Sequence, residues 1–207
     1  MNSSQSIILG ITGGIACGKT EVGRILSENG FKVLDCDLLA HELMNKGCSV
    51  YQDVVNRFGE KILAADGEID RIKLGRRVFD NPPDRAALNR LVHPAVIEAA
   101  QRWKADCRAV HRNAAVLVPL LFEAGWTGDW DAIVCITASD EQIFHRLERR
   151  GLSPEEARKR IAAQMPIAEK AAKADFVIQN NGTLKALHEA IMNLIEKIRG
   201  EQRNSYE

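Results

Sequence analysis

An α/β fold, a five-stranded parallel sheet flanked by helices, is what the sequence predicts, and two observations carry the expectation. Short runs rich in Ile and Val recur along the chain without alternating with polar residues, the pattern of strands buried on both faces. Stretches with helical spacing separate them, such as "TEVGRILSENG", which closes on Gly30. The 207 residues suffice for one core with a small appended lobe.

The first strand is "SIILGI", near residue 7, and it runs straight into the glycine-rich "GITGGIACGKT" of residues 10–20. The second is "FKVLD", near residue 32. From about 38 to 112 no strong strand signal occurs, which predicts a mostly helical insertion between the second and third strands. "AAVLVPLL" near 115, "DAIVCIT" near 132 and "DFVIQN" near 176 complete the sheet. Ser139 with Gln142 reads as a capping box, and Ser153-Pro154-Glu155-Glu156 as another with proline at the first helical position. Gly151 lies between these two helices, making "RRGLS" the bend of a helical hairpin. The expected single domain thus has a core of 1–37, 113–140 and 174–207, a helical insertion at 38–112 and a lid at 141–173.

Composition excludes several classes of function. With 28 basic and 28 acidic side chains there is no broad nucleic-acid footprint, and any anion site must be local. The five cysteines, Cys17, Cys36, Cys48, Cys107 and Cys135, are scattered without a CxxC spacing, as befits reduced cytosolic thiols. "MNSSQS" lacks the basic region of a secretory signal, and "AAVLVPLLF" is about half of a membrane span. A cytoplasmic protein with no membrane contact, no nucleic acid and no obligate protein partner is expected.

Gly13 and Gly18-Lys19-Thr20 match GxxxxGK[ST] between a predicted strand and a predicted helix. Glycines in this setting let backbone N–H groups form a concave nest, and the helix end adds partial positive charge. Lys19 can reach outer phosphates and Thr20 can offer its hydroxyl to Mg²⁺. A nucleoside triphosphate is therefore the expected ligand. In a parallel α/β sheet ligands gather beyond the carboxyl ends of the strands, which draws attention to "VLDCD". There Asp35 and Asp37 are read on one face of the strand end. Asp37 is the candidate base for an acceptor hydroxyl, or else a helix cap; Asp35 would hold a metal-bound water or an arginine. The third strand ends "VPLLFE", with Glu123 after the apolar run and no standard Walker B aspartate, and no NKxD motif is present. Both absences favour a small-molecule kinase over a GTPase or a motor.

Arg146, Arg149, Arg150, Arg158, Lys159 and Arg160 concentrate in the hairpin, where they suit a lid closing over phosphates or simply a solvated surface. His93-Pro94 reads as a helix start, with His93 a substrate contact or a structural histidine.

Taken in order, "GITGGIACGKT", "VLDCDLLAHEL", "YQDVVNRFGEKIL", "DGEIDRIKLGRRVFD", "LNRLVHPAV", "VPLLFE", "RIAAQM" and "ADFVIQNNG" resemble the dephospho-CoA kinases over nearly the whole chain. The resemblance implies a fold similar to nucleoside monophosphate kinases and transfer of the ATP γ-phosphate to the ribose 3′-hydroxyl of dephospho-CoA, with Mg²⁺. It puts Asp37 at the catalytic base and, with Lys19, makes Arg146 and Arg150 catalytic lid residues. It assigns ATP to Gly13, Gly14, Ala16, Cys17, Gly18, Lys19, Thr20 and Glu21, with Asn181 and Gly182 near adenine. His93, Leu121 and Glu123 fall on the acceptor side. Rival readings are a kinase of the same fold with another acceptor, such as shikimate or a nucleoside monophosphate, and an ATP-binding switch that transfers nothing.

Three departures from the family pattern stand out. Ala16 replaces a glycine, which is tolerable only if the position avoids positive φ. Cys17 replaces a serine; beside Lys19 and a helix N-terminus it is expected to favour thiolate, with alkylation that ATP blocks. The bend "RLERRGLS" is one residue short, leaving Arg149 and Arg150 both eligible as the lid arginine.

Overall fold

A computed structural model describes residues 6–79 and 81–204; most of the N-terminal "MNSSQS" lies outside them. Five strands form one sheet: β1 (Ile8–Gly13), β2 (Lys32–Asp35), β3 (Ala114–Leu117), β4 (Ala132–Thr137) and β5 (Phe176–Gln179). Their order is β2-β3-β1-β4-β5, with β1 parallel to β3 and β4, and β4 parallel to β5. β1 and β4 are buried almost from end to end, which is why their sequences show no polar alternation. The chain leaves β1 toward β2 on one side and leaves β4 toward β5 on the other. That reversal opens a crevice beyond the carboxyl ends of β1 and β4, where α/β folds bind ligands.

The helices are α1 (Lys19–Glu28), α2 (Cys36–Leu43), α3 (Tyr51–Phe58), α4 (Arg71–Phe79), α5 (Pro82–Ala109), α6 (Asp140–Glu148), α7 (Pro154–Ala162), α8 (Ile167–Lys173) and α9 (Leu184–Asn204). Two compact units result, one drawn from Met1–Leu34 and Asp106–Glu207, the other Asp35–Ala105. In the first, Leu9, Ile11, Val134 and Ile136 of the sheet share a core with Val22, Ile25 and Leu26 of α1. Leu187, Ile191, Ile195 and Ile198 of α9, three or four residues apart, present one apolar stripe to the same core. No helix among the described residues is long and apolar enough to cross a membrane.

The second unit is helical, as the missing strand signal predicts, and its one isolated bridge joins Leu63 to Ile69. Val54, Phe58, Ile62 and Leu74 are buried there. Asp84 accepts from Arg57 at 2.8 Å, Arg77 at 3.2 Å and Asn81 at 3.2 Å. Both guanidinium groups lie over the Phe58 ring, 5.1 and 5.7 Å from its centroid. Charge pairing and cation–π attraction therefore lock α3 to the start of α5.

Three local expectations need correction. Pro94 does not start a helix but sits inside α5, which runs through it although the Arg90 carbonyl loses its usual donor. β2 stops at Asp35, so Asp35 and Asp37 do not share a strand face. Asp35 is instead the N-cap of α2, accepting from the amides of Asp37 at 2.8 Å and Leu38 at 3.4 Å, while Asp37 belongs to the first helical turn. Ser139 caps α6 by accepting from the Gln142 amide, but its own amide donates to Asn181 Oδ1 at 2.7 Å rather than back to Gln142. The box at Ser153 and Glu156 is complete.

Candidate active site

β1 delivers the chain into a loop whose glycines are sterically required. Gly13 has φ 142°, and a Cβ there would lie 2.2 Å from the Ile136 carbonyl oxygen of β4. Gly18 has φ 102°, and its Cβ would meet Asn180 Nδ2 at 2.2 Å. Between them Ala16 adopts φ 57°, the left-handed region that the sequence reading required it to avoid. Alanine therefore holds a left-handed conformation at this position, at a backbone cost of about 1–2 kcal/mol.

Side chains from three other segments hold the outside of the loop. Arg146 of α6 donates to the Ala16 carbonyl at 3.0 Å and to the Asn180 carbonyl at 2.9 Å. Asn180, buried just after β5, donates to the Cys17 carbonyl at 2.9 Å. Gln164, between α7 and α8, accepts from the Ile15 amide at 3.0 Å. Lys19 Nζ donates to the carbonyls of Gly13 at 3.0 Å and Gly14 at 2.8 Å. Among the described residues no group accepts from the amides of Ala16 and Gly18. A loop with its carbonyls bound from outside and amides open at a helix N-terminus suits an anion.

The other sequence-derived positions distribute as follows. Thr20 is exposed on the first turn of α1. Glu21 is engaged by Arg24, whose Nε donates to it at 3.0 Å. Asn181 is tied to Ser139, and Gly182 has only the Ala186 side chain nearby. Arg149 and Arg150 are exposed at the α6–α7 bend, with Gly151 at φ 79° behind them. Arg146, expected as a lid arginine, donates to the Ala16 and Asn180 carbonyls. Leu121 is fully buried, and Glu123 pairs with Lys170 of α8 at 2.8 Å.

Cys17 does not behave as expected. Its side chain is wholly buried, and burial pushes its thiol above the ordinary value despite the opposing pull of Lys19 and Arg146. Burial therefore favours the thiol over the thiolate. Burial likewise holds Cys135 up to about 11.

In the helical unit Asp37 is exposed on α2, four residues before His41. Arg71 Nη1 of α4 lies 3.3 Å from His41 Nδ1. A guanidinium only donates, so this contact requires a neutral His41 with Nδ1 accepting. Burial and the Arg71 charge lower the His41 pKa accordingly, against the pull of Asp37 and Asp35. His93 sits half-buried within α5.

Sequence reasoning missed Asn180, Gln164 and His41. Asn180 adjoins the residue that was chosen, and Gln164 lies in "RIAAQM", a quoted motif whose glutamine went unassigned. A polar residue immediately after a parallel strand is a usable signal for the first; the second has no local one.

The model of the dephospho-CoA kinase family matches residues 7–186. The chain belongs to that family. It is 41% identical over 192 residues to the dephospho-CoA kinase of Carboxydothermus hydrogenoformans, covering 92% of this chain and 93% of the relative. The crystal structure of TT1252 from Thermus thermophilus superposes with a TM-score of 0.76 at 33% identity, over 93% of this chain and 98% of that one. The dephospho-CoA kinase structure from Campylobacter jejuni gives a TM-score of 0.68 at 26% identity, over 94% and 98%. The reaction follows from the family: a kinase takes phosphate from ATP and passes it to dephospho-CoA, the last step of coenzyme A biosynthesis. A P-loop kinase core among dephospho-CoA kinases accounts for both the sheet order and the loop.

Proposed function

We propose that this chain transfers the γ-phosphate of ATP to the ribose 3′-hydroxyl of dephospho-CoA in the cytoplasm, with Gly13, Gly14 and residues 16–21 as the phosphate site and Asp37 as the base. One observation carries the assignment of the site: the loop from Gly13 to Gly18 is held by its carbonyls from outside, leaving amides at the start of α1 for phosphate oxygens. Lys19 exchanges the Gly13 and Gly14 carbonyls for the outer phosphates when the nucleotide enters. Arg146 acts by shaping the loop. Arg150, or its neighbour Arg149, neutralises charge on the group in transfer when the 141–173 segment closes.

Asp37, on the first turn of α2, accepts the proton of the attacking hydroxyl. Its own amide donates to Asp35, so the carboxylate that caps α2 is that of Asp35. Within the 38–112 insertion His93 contacts the acceptor, with Leu121 and Glu123 contributing from the turn after β3. Asn181 and Gly182 border the adenine.

Among the described residues no group of three or more His, Cys, Asp or Glu side chains is arranged to hold a metal. That suits Mg²⁺, which keeps water and phosphate oxygens and asks the protein for one or two ligands. The exposed Thr20 hydroxyl fits as one of them. Bound there, Mg²⁺ would neutralise charge on the phosphates.

The test is ADP release from Mg²⁺-ATP with dephospho-CoA, shikimate, AMP, CMP or no acceptor. Release that depends on dephospho-CoA, with 3′-phosphorylated coenzyme A as product, is expected. Release with another acceptor would refute the acceptor assignment, and tight ATP binding without acceptor-dependent release would leave a switch.

A further inference from the structure

We propose that Lys170 is a positioning residue that fixes the phosphate loop by locking the segment between α7 and α8 against the turn after β3. The proposal rests on the reading of residues 13–20 as the ATP site. Lys170 lies on α8 with a side chain wholly removed from solvent. Its ammonium donates to the Pro119 carbonyl at 2.7 Å and pairs with Glu123 Oε1 at 2.8 Å. The same Oε1 accepts from the Met165 amide at 2.9 Å. Gln164, the preceding residue, accepts from the Ile15 amide of the loop.

A buried ammonium is tolerated only where acceptors surround it. Among the positions α8 could take beside β1 and β4, the pair with Glu123 and Pro119 therefore selects one. Met165 is bound to that same carboxylate, so Gln164 inherits the placement and presents Oε1 to Ile15. Ile167 completes the contact, its Cδ1 being 3.6 Å from where a Cβ on Gly14 would lie. With the Ile15 amide committed to Gln164, the loop keeps the conformation in which the Ala16 and Gly18 amides have no protein acceptor. Lys170 so acts on ATP through Glu123, Met165 and Gln164, without touching it.

Replacing Lys170 alone would leave the Glu123 carboxylate without its cation, so the informative variant removes both charges: Lys170→Met, which keeps the wholly buried position apolar, with Glu123→Leu at the partly exposed partner. The measurements are the thermal midpoint and the ATP dissociation constant by titration calorimetry. These are compared across the pair variant, Gln164→Leu, the triple variant and Lys19→Ala. Expected are a native-like midpoint for the pair variant and an ATP dissociation constant raised about tenfold. Gln164→Leu should match that loss and the triple variant should be no weaker, because the residues form one unit. Native ATP affinity in a folded pair variant overturns the proposal, as do losses that multiply in the triple variant. If the pair variant lacks a cooperative transition, Gln164→Leu decides: native affinity there also overturns it. Lys19→Ala separates the two levels. Native affinity in that variant overturns the loop assignment and the proposal with it, whereas lost affinity there with native affinity in the pair variant overturns the Lys170 proposal alone.

Discussion

Asn180 reaches from the end of β5 to donate to the carbonyl of Cys17, 163 residues earlier in the chain, and its backbone carbonyl receives Arg146. The two contacts close a ring around the back of the phosphate loop. Asn180→Ala leaves a carbonyl without its donor, which costs about 1–3 kcal/mol. A lower denaturation midpoint and a KM for ATP raised about tenfold are expected together. A shifted midpoint with an unchanged KM would assign Asn180 to stability alone.

The central strands β1, β3 and β4 were legible because burial on both faces leaves no room for polar alternation, and the partly exposed edge strands β2 and β5 still carry short apolar runs. The phosphate loop was legible because both Gly13 and Gly18 have positive φ and no room for a Cβ, Gly13 against the Ile136 carbonyl and Gly18 against the Asn180 side chain. What failed was local reasoning where tertiary context decides. Pro94 carries a helix-start signal, yet α5 continues through it because packing on both sides outweighs one lost hydrogen bond. Asn180 and Asn181 are chemically identical neighbours, and only the direction of the chain leaving β5 sends one to the loop and the other to Ser139. Lys170 is wholly buried, and nothing in the local "AEKAAK" marks it apart from Lys173 three residues on.

Cys17 illustrates the same limit in electrostatics. Proximity to Lys19 and a helix N-terminus favours thiolate, but complete burial outweighs both. Alkylation of the native protein is expected to modify the exposed Cys48 first and to reach Cys17 only after denaturant is added. Peptide mass spectrometry after iodoacetamide treatment checks this. Rapid native labelling of Cys17, blocked by ATP, would restore the thiolate reading.

Ala16 occupies the left-handed region at a position where glycine would be unstrained. Ala16→Gly relieves about 1–2 kcal/mol of backbone strain. It also makes the unfolded chain more flexible by roughly 0.5–1 kcal/mol, so the net change should lie between zero and a gain of about 1.5 kcal/mol. Ala16→Val, with a branched Cβ at positive φ, should lose stability instead. Denaturant titration of the two variants gives the comparison, and a stabilised Val variant would contradict the strain.

Partial burial and the facing Arg71 favour the neutral form of His41. Its folded pKa lies below the unfolded value of about 6.5, so the unfolded chain binds the proton first as pH falls. Stability should therefore decline from about pH 6.5 down to the folded pKa, and His41→Gln should abolish that part of the slope. In an NMR titration Arg71→Ala should move the His41 midpoint upward. A native midpoint at or above 6.5 would rule out the contact.

Asp35 and Asp37 are separated by one residue, Cys36, and by role. The Asp35 carboxylate is committed to two amides at the start of α2, so Asp35→Ala should cost about 1 kcal/mol through the lost cap. Asp37 lies one position inside the helix and has no part in that cap as acceptor, so Asp37→Asn preserves the fold and removes the capacity to take a proton. Turnover should fall by about 10²–10⁴, with ATP affinity within about twofold of native. The pH profile supplies the independent check, because a base must be ionised: the acid limb of kcat should be present in the native chain and vanish from the residual activity of Asp37→Asn. Loss of less than about tenfold, with the acid limb intact, would reduce Asp37 to a hydrogen-bonding contact and oblige another group to receive the proton.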